Sequence, residues 1–138
     1  MDLLRGDKMP NIHKLKLEKY HIDEDQYMEL LYFCKRYKAR QQEINNLRGL
    51  TAANMDGMPK GNTTGSQTEA KAIKIERLRK ENELIEQSAI EADPYMYQYI
   101  LKNVTEGISY EYLGRIPKGR RQFYESRRIF FKILSEKR

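Results

Sequence analysis

The chain has 138 residues, 39% of them apolar and 33% charged, with a formal net charge of +6. That suits one ordinary domain or two very small ones. It is too polar for a single thick core, so helices with narrow buried stripes are expected.

No apolar run approaches the roughly 20 residues that span a bilayer. The start, MDLLRGDKMP, lacks the apolar stretch of a secretory signal. The one cysteine, Cys34, excludes an internal disulfide and a cysteine-based zinc site, so a cytoplasmic protein is expected. The excess positive charge lies entirely in residues 109–138, where nine Lys/Arg face only Glu111, Glu125 and Glu136. This asymmetry predicts a polyanion-binding end on a neutral body.

Residues 1–22 are basic, contain Pro10 and read as a loose arm. Within them Ile12–Leu17 alternates briefly, as a short strand or no element. A helix is expected to start at Asp23, whose carboxylate suits a first-turn amide and the positive end of the helix dipole. Tyr27, Leu30, Cys34, Tyr37, Gln41, Ile44 and Leu47 follow at steps of three and four. They predict one stripe on a helix reaching about Leu50, with Gly49 at its end. Residues 51–65 hold Gly57, Pro59, Gly61 and Gly65, a break that opposes helix and strand alike.

Ser66 and Glu69 match a capping box, and a second helix is expected to run to about Ala92. Its seam is Ile75, Leu78, Asn82, Ile85, Ala89 and Ala92. Asn82 either fixes register by demanding a polar partner or marks an early end of the seam. Two striped helices joined by a loop predict an antiparallel, coiled-coil-like hairpin over residues 23–92. Being thin, it is expected to pair with a second copy as a homodimer.

Asp93-Pro94 is expected to open the next helix, with Met96, Ile100 and Val104 at helical spacing, ending at Glu106-Gly107. Ser109 is placed to cap a short helix, YEYLG, ended by Gly114. Pro117, at or just before the first turn, is read as starting a third helix that lasts to about Lys137. On it Phe123, Phe130, Ile133 and Leu134 share one face, and Arg121, Glu125, Arg128 and Lys132 the opposite one. The expected fold is therefore all-α, with the hairpin followed by a three-helix helix-turn-helix unit over residues 93–138. In such units the last helix enters the major groove of duplex DNA. Lys118, Arg120, Arg121, Gln122 and Arg128 are the expected contacts, with Lys132 on phosphate. Arginine fits guanine's paired acceptors, and glutamine fits adenine. Phe123, Phe130 and Leu134 are expected to hold the unit together.

The strings EGISYEYL and IPKGRRQFYESRRIFF resemble the end of phage-encoded regulators of the RinA/ArpU type, whose last unit is similar to region four of bacterial sigma factors. The matching positions are Glu106, Gly107, Ser109, Tyr110, Glu111 and Leu113, then Ile116, Pro117 and Gly119. The upstream body, with its GMPKG stretch, is similar too. One departure is visible. Ser109 and Ile116 are seven positions apart where such units have about ten, which predicts a truncated supporting helix. The resemblance implies a transcriptional regulator of phage or prophage genes in a bacterial host. The same folds also serve phage terminase small subunits that bind packaging sites. A third expectation is a helical adaptor that meets RNA polymerase or a host factor without binding DNA.

Other chemistry has few residues to work with. His13 and His21 both lie in the arm, and His21 near Asp23 and Asp25 reads as a capped helix start rather than a metal site. There is no GxxxxGK[ST] phosphate loop. Cys34 reads as a small buried apolar residue. Tyr110, Tyr112 and Tyr124 are expected to pack rather than reach phosphate. Neither an enzyme nor a cofactor is expected.

Overall fold

The structure is a computed structural model that describes residues 17–55 and 64–138. Within them it is all-α, as expected, with no strand. Five α-helices follow in order: α1 (Glu24–Lys35), α2 (Tyr37–Met55), α3 (Thr64–Ala92), α4 (Tyr97–Glu106) and α5 (Arg120–Lys137). Single 3-10 turns form at Leu17–Tyr20 and Tyr110–Tyr112. The first sixteen residues, with His13 and most of the Ile12–Leu17 alternation, lie outside the described residues, as do residues 56–63 of the glycine-rich stretch.

Asp23 caps α1 as anticipated, its Oδ1 accepting from the Gln26 amide at 2.7 Å. The single helix expected from there to Leu50 is instead two. At Arg36 the amide bonds back to the Phe33 carbonyl, three residues earlier, at 3.3 Å, and α2 begins at the next residue. Nor does Gly49 end α2, which continues to Met55. A glycine inside a helix costs only about 0.5–1 kcal/mol and does not forbid it. The stripe also departs from expectation, for Arg40 is buried where Gln41 was expected, and Gln41 is exposed.

The contacts divide the described chain into two compact units, at the Arg36 break and inside α3. This differs from the division expected at Asp93. The smaller unit, Tyr37–Glu83, is an antiparallel hairpin of α2 and the first part of α3. Ile44 and Leu78 are buried in it. Asn82 has the polar partners its place in the seam called for. Its Oδ1 accepts from Arg40 Nη1 and its Nδ2 donates to the Tyr37 carbonyl, both at 3.1 Å. Arg40 Nε lies 3.3 Å from Glu81, and Lys74 Nζ 2.7 Å from Glu43. The side chain of Ser66 is outside the described part, so its capping box has no structural counterpart.

The larger unit takes in α1, the end of α3, α4 and α5. Here α1 packs against α4 and α5, and α4 packs against α5. Leu30, Leu31 and Cys34 from α1, Ile85 and Ala89 from α3, Ile100 and Val104 from α4, and Phe123, Phe130, Phe131 and Leu134 from α5 form the core. Tyr27 meets Phe131 edge-on at 5.1 Å, and Phe130 meets Phe131 at 5.0 Å. Aromatic pairs in this geometry add to their burial energy.

Two expected elements are corrected. Asp93-Pro94 makes a turn, with Asp93 accepting from the Tyr95 amide at 3.0 Å, and α4 begins only at Tyr97. The short helix YEYLG is a single 3-10 turn of three residues, in keeping with the seven-residue spacing. Pro117 falls just before the first turn of α5, which starts at Arg120 after Gly119.

Gly107 does end α4, at φ 75°. An added Cβ there or at Gly49 would meet no atom within 4 Å, so the two glycines differ in backbone alone. Gly107→Ala should destabilise by about 1–2 kcal/mol through left-handed strain. Gly49→Ala should stabilise by up to about 1 kcal/mol. Urea titration of both variants, followed by helical circular dichroism, checks the opposite signs.

Candidate nucleic-acid interface

The face that α5 turns outward is set by what it buries. Phe123, Ser126, Arg127, Phe130, Phe131 and Leu134 all point into the unit, a spacing that gives one face of a helix. Arg121, Glu125, Arg128 and Lys132 therefore fall on the outward side, as expected. Ile133 is only half-buried at the margin. Gly119 is the residue before the first turn and offers no side chain to its amides.

Asp93 fixes how α5 meets the chain before it. The carboxylate is 5% exposed and accepts from three directions. Lys118 Nζ reaches it at 3.1 Å and Ser126 Oγ at 2.9 Å, besides the Tyr95 amide. Burial works against the charged form, but these donors outweigh it and hold the Asp93 carboxyl below its ordinary range.

The six expected contact residues fall into two groups. Lys118 is half-buried on Asp93, with Tyr95 nearby, its ring centroid 6.0 Å from Nζ. Arg120 pairs with Glu111 and lies over the rings of Tyr110 and Tyr124, 5.4 Å from each. That pairing lowers the Glu111 carboxyl and raises Arg120. Arg128 Nη1 donates to Glu125 Oε1 at 2.8 Å, and Lys132 pairs with Glu136 one turn on. Arg121 and Gln122, by contrast, are exposed at the first turn, and neither side chain is engaged among the described residues.

Packing rather than display accounts for Tyr110 and Tyr124. Their centroids lie 5.3 and 5.2 Å from that of Phe123. Tyr112, expected to pack as well, is 81% exposed.

Sequence reasoning missed two features. Arg127 is fully buried, its Nη2 donating to the Tyr27 hydroxyl at 3.2 Å and its guanidinium 5.2 Å from the Phe131 ring. The spacing of 123, 127, 130 and 134 already put it on the apolar face. The arm is also less loose at its end than expected. Ile22 is buried, and the Tyr20 hydroxyl donates to Glu125 Oε2 at 2.8 Å. No local sequence signal links positions 105 residues apart.

Among the described residues no group of His, Cys, Asp and Glu could hold a metal ion, and no helix is long and apolar enough to cross a membrane. Compared with protein-family models, curated proteins and solved structures, the chain has no match.

A carboxyl held below its ordinary range contributes stability that is present above the unfolded value, roughly 3.9. That stability disappears as the pH falls through the lower folded value. Asp93→Asn should therefore flatten the acid limb of a stability-versus-pH curve. At neutral pH it should cost about 1–3 kcal/mol by weakening the charge-assisted bonds. Urea unfolding at a series of pH values measures both.

Proposed function

We propose that the chain binds double-stranded DNA through the outward face of α5. In this reading it is a transcriptional regulator of phage or prophage genes of the RinA/ArpU type, acting in the cytoplasm of a bacterial host. The observation that carries the reading is the first turn of α5. There Arg121 and Gln122 stand exposed and unengaged among the described residues, on a helix whose other face is locked into a core. This is where a recognition helix reads base edges. Arg121 and Gln122 would read bases, with Arg128 and Lys132 exchanging their carboxylate partners for phosphate.

Support comes also from the confinement of all the excess positive charge to residues 109–138, and from the resemblance over Glu106–Leu113 and Ile116–Gly119. Lys118 lies on the buried Asp93 at the approach to α5, while Arg120, paired with the exposed Glu111, would exchange its carboxylate for phosphate as Arg128 and Lys132 do. The reading includes a homodimer formed through the hairpin, whose thin two-helix build invites a second copy. RNA polymerase is the protein partner such a role implies.

The test is titration of a labelled duplex from upstream of the chain's own gene cluster, beside a scrambled duplex, over a range of salt. Preference for the true fragment and a steep salt slope are expected. Arg121→Ala should cost about 1–3 kcal/mol on the true fragment and narrow the preference. Equal, weak binding to both fragments, unchanged in the variant, overturns the reading. Solution mass should be twice the 16.5 kDa of the chain; a ring of many subunits would favour the packaging role instead.

A further inference from the structure

Glu125 sits in the middle of the outward face of α5, and both of its oxygens are taken. Oε1 accepts from Arg128 and Oε2 from the Tyr20 hydroxyl, while Lys19 Nζ lies 3.5 Å from the same carboxylate. The chain just before α1 is thereby fastened onto the helix that the proposed function assigns to DNA. Ile22, buried close by in sequence, gives this segment a second anchor. The Lys19 side chain remains 59% exposed. One carboxylate thus lies between two cations, Lys19 and Arg128, that come from opposite ends of the sequence.

We propose that the Leu17–Tyr20 turn is part of the DNA-binding surface, with Lys19 as a phosphate contact and Tyr20 and Glu125 as the positioning pair that holds it there. The inference rests on the α5 reading and extends it to a segment outside the helix-turn-helix. Charge decides between an extension and a cover. The turn holds Glu18 as well as Lys19. A segment that shields a basic face should nonetheless set acids against its cations, whereas here Lys19 and the Tyr20 hydroxyl meet the face at Glu125, the acid in its middle. Arg121, one turn before Glu125, is left exposed. The Glu125 carboxyl is lowered chiefly by the Tyr20 hydrogen bond, so it remains charged and the fastening persists at neutral pH.

The experiment uses the full chain and the same labelled upstream duplex, with Lys19→Ala, Lys19→Gln, Tyr20→Phe and Arg121→Ala compared across salt concentrations. Circular dichroism melts confirm that each variant is folded. Both Lys19 variants should bind several-fold more weakly, with the slope of log affinity against log salt reduced by about 1. Tyr20→Phe, which removes only the hydroxyl, should weaken binding in the same direction by a smaller factor. Unchanged slope and affinity in the Lys19 variants, with Arg121→Ala weakened, would overturn the inference and leave the α5 reading standing. Tighter binding in the Lys19 variants would make the turn a cover and overturn it too. No binding by the unaltered chain would remove both.

Discussion

The larger unit depends on one buried carboxylate. Taking an ion out of water costs several kcal/mol unless donors replace its hydration. Asp93 has three, drawn from the turn after α3, the approach to α5, and α5 itself. The next residue on α5 after Ser126 is Arg127, which reaches in another direction to the Tyr27 hydroxyl on α1. Adjacent side chains of one helix are thus tied to two different elements, and together they fix its rotation about its axis. The outward placement of Arg121, Arg128 and Lys132 follows from that rotation. Slight turning of α5 would leave either a carboxylate or a guanidinium buried without its bonds.

The same logic separates cations that build the unit from cations that face solvent. Lys118 is held by a buried acid, and Arg127 lies wholly within the core. These two positive charges near the start and middle of α5 are therefore structural. Arg120, Arg128 and Lys132 pair with partly exposed acids, the kind of pair worth a fraction of a kcal/mol. Such pairs can be exchanged cheaply for a phosphate, which a buried pair cannot.

Periodicity made much of this legible. The apolar face of α5, the cap at Asp23 and the end at Gly107 follow from spacing and local chemistry. Spacing leaves Asn82 open between a polar layer and an early end of the seam, and puts Gln41 where its partner Arg40 lies. The break at Arg36 does not follow from it, since no glycine or proline marks it and the three-and-four spacing runs straight through. That break lets α1 bury its stripe against α4 and α5, a tertiary preference invisible in local sequence. Pro94 announces a helix correctly but early, because it sits in a turn that a buried side chain stabilises. Charge counting misled at Arg127, since it treats every cation as solvated while the four-three-four spacing puts this one inward.

The Arg40–Asn82 layer has a consequence for how the chain tolerates change in length. It aligns α2 with α3 through groups that a slide of one turn would leave buried and unbonded, at a cost of about 1–3 kcal/mol per group. Lengthening the connection between Met55 and Thr64 costs far less, about 0.6 kcal/mol for a doubling. Added length between the helices is therefore expected to leave the pairing of Arg40 with Asn82 where it is.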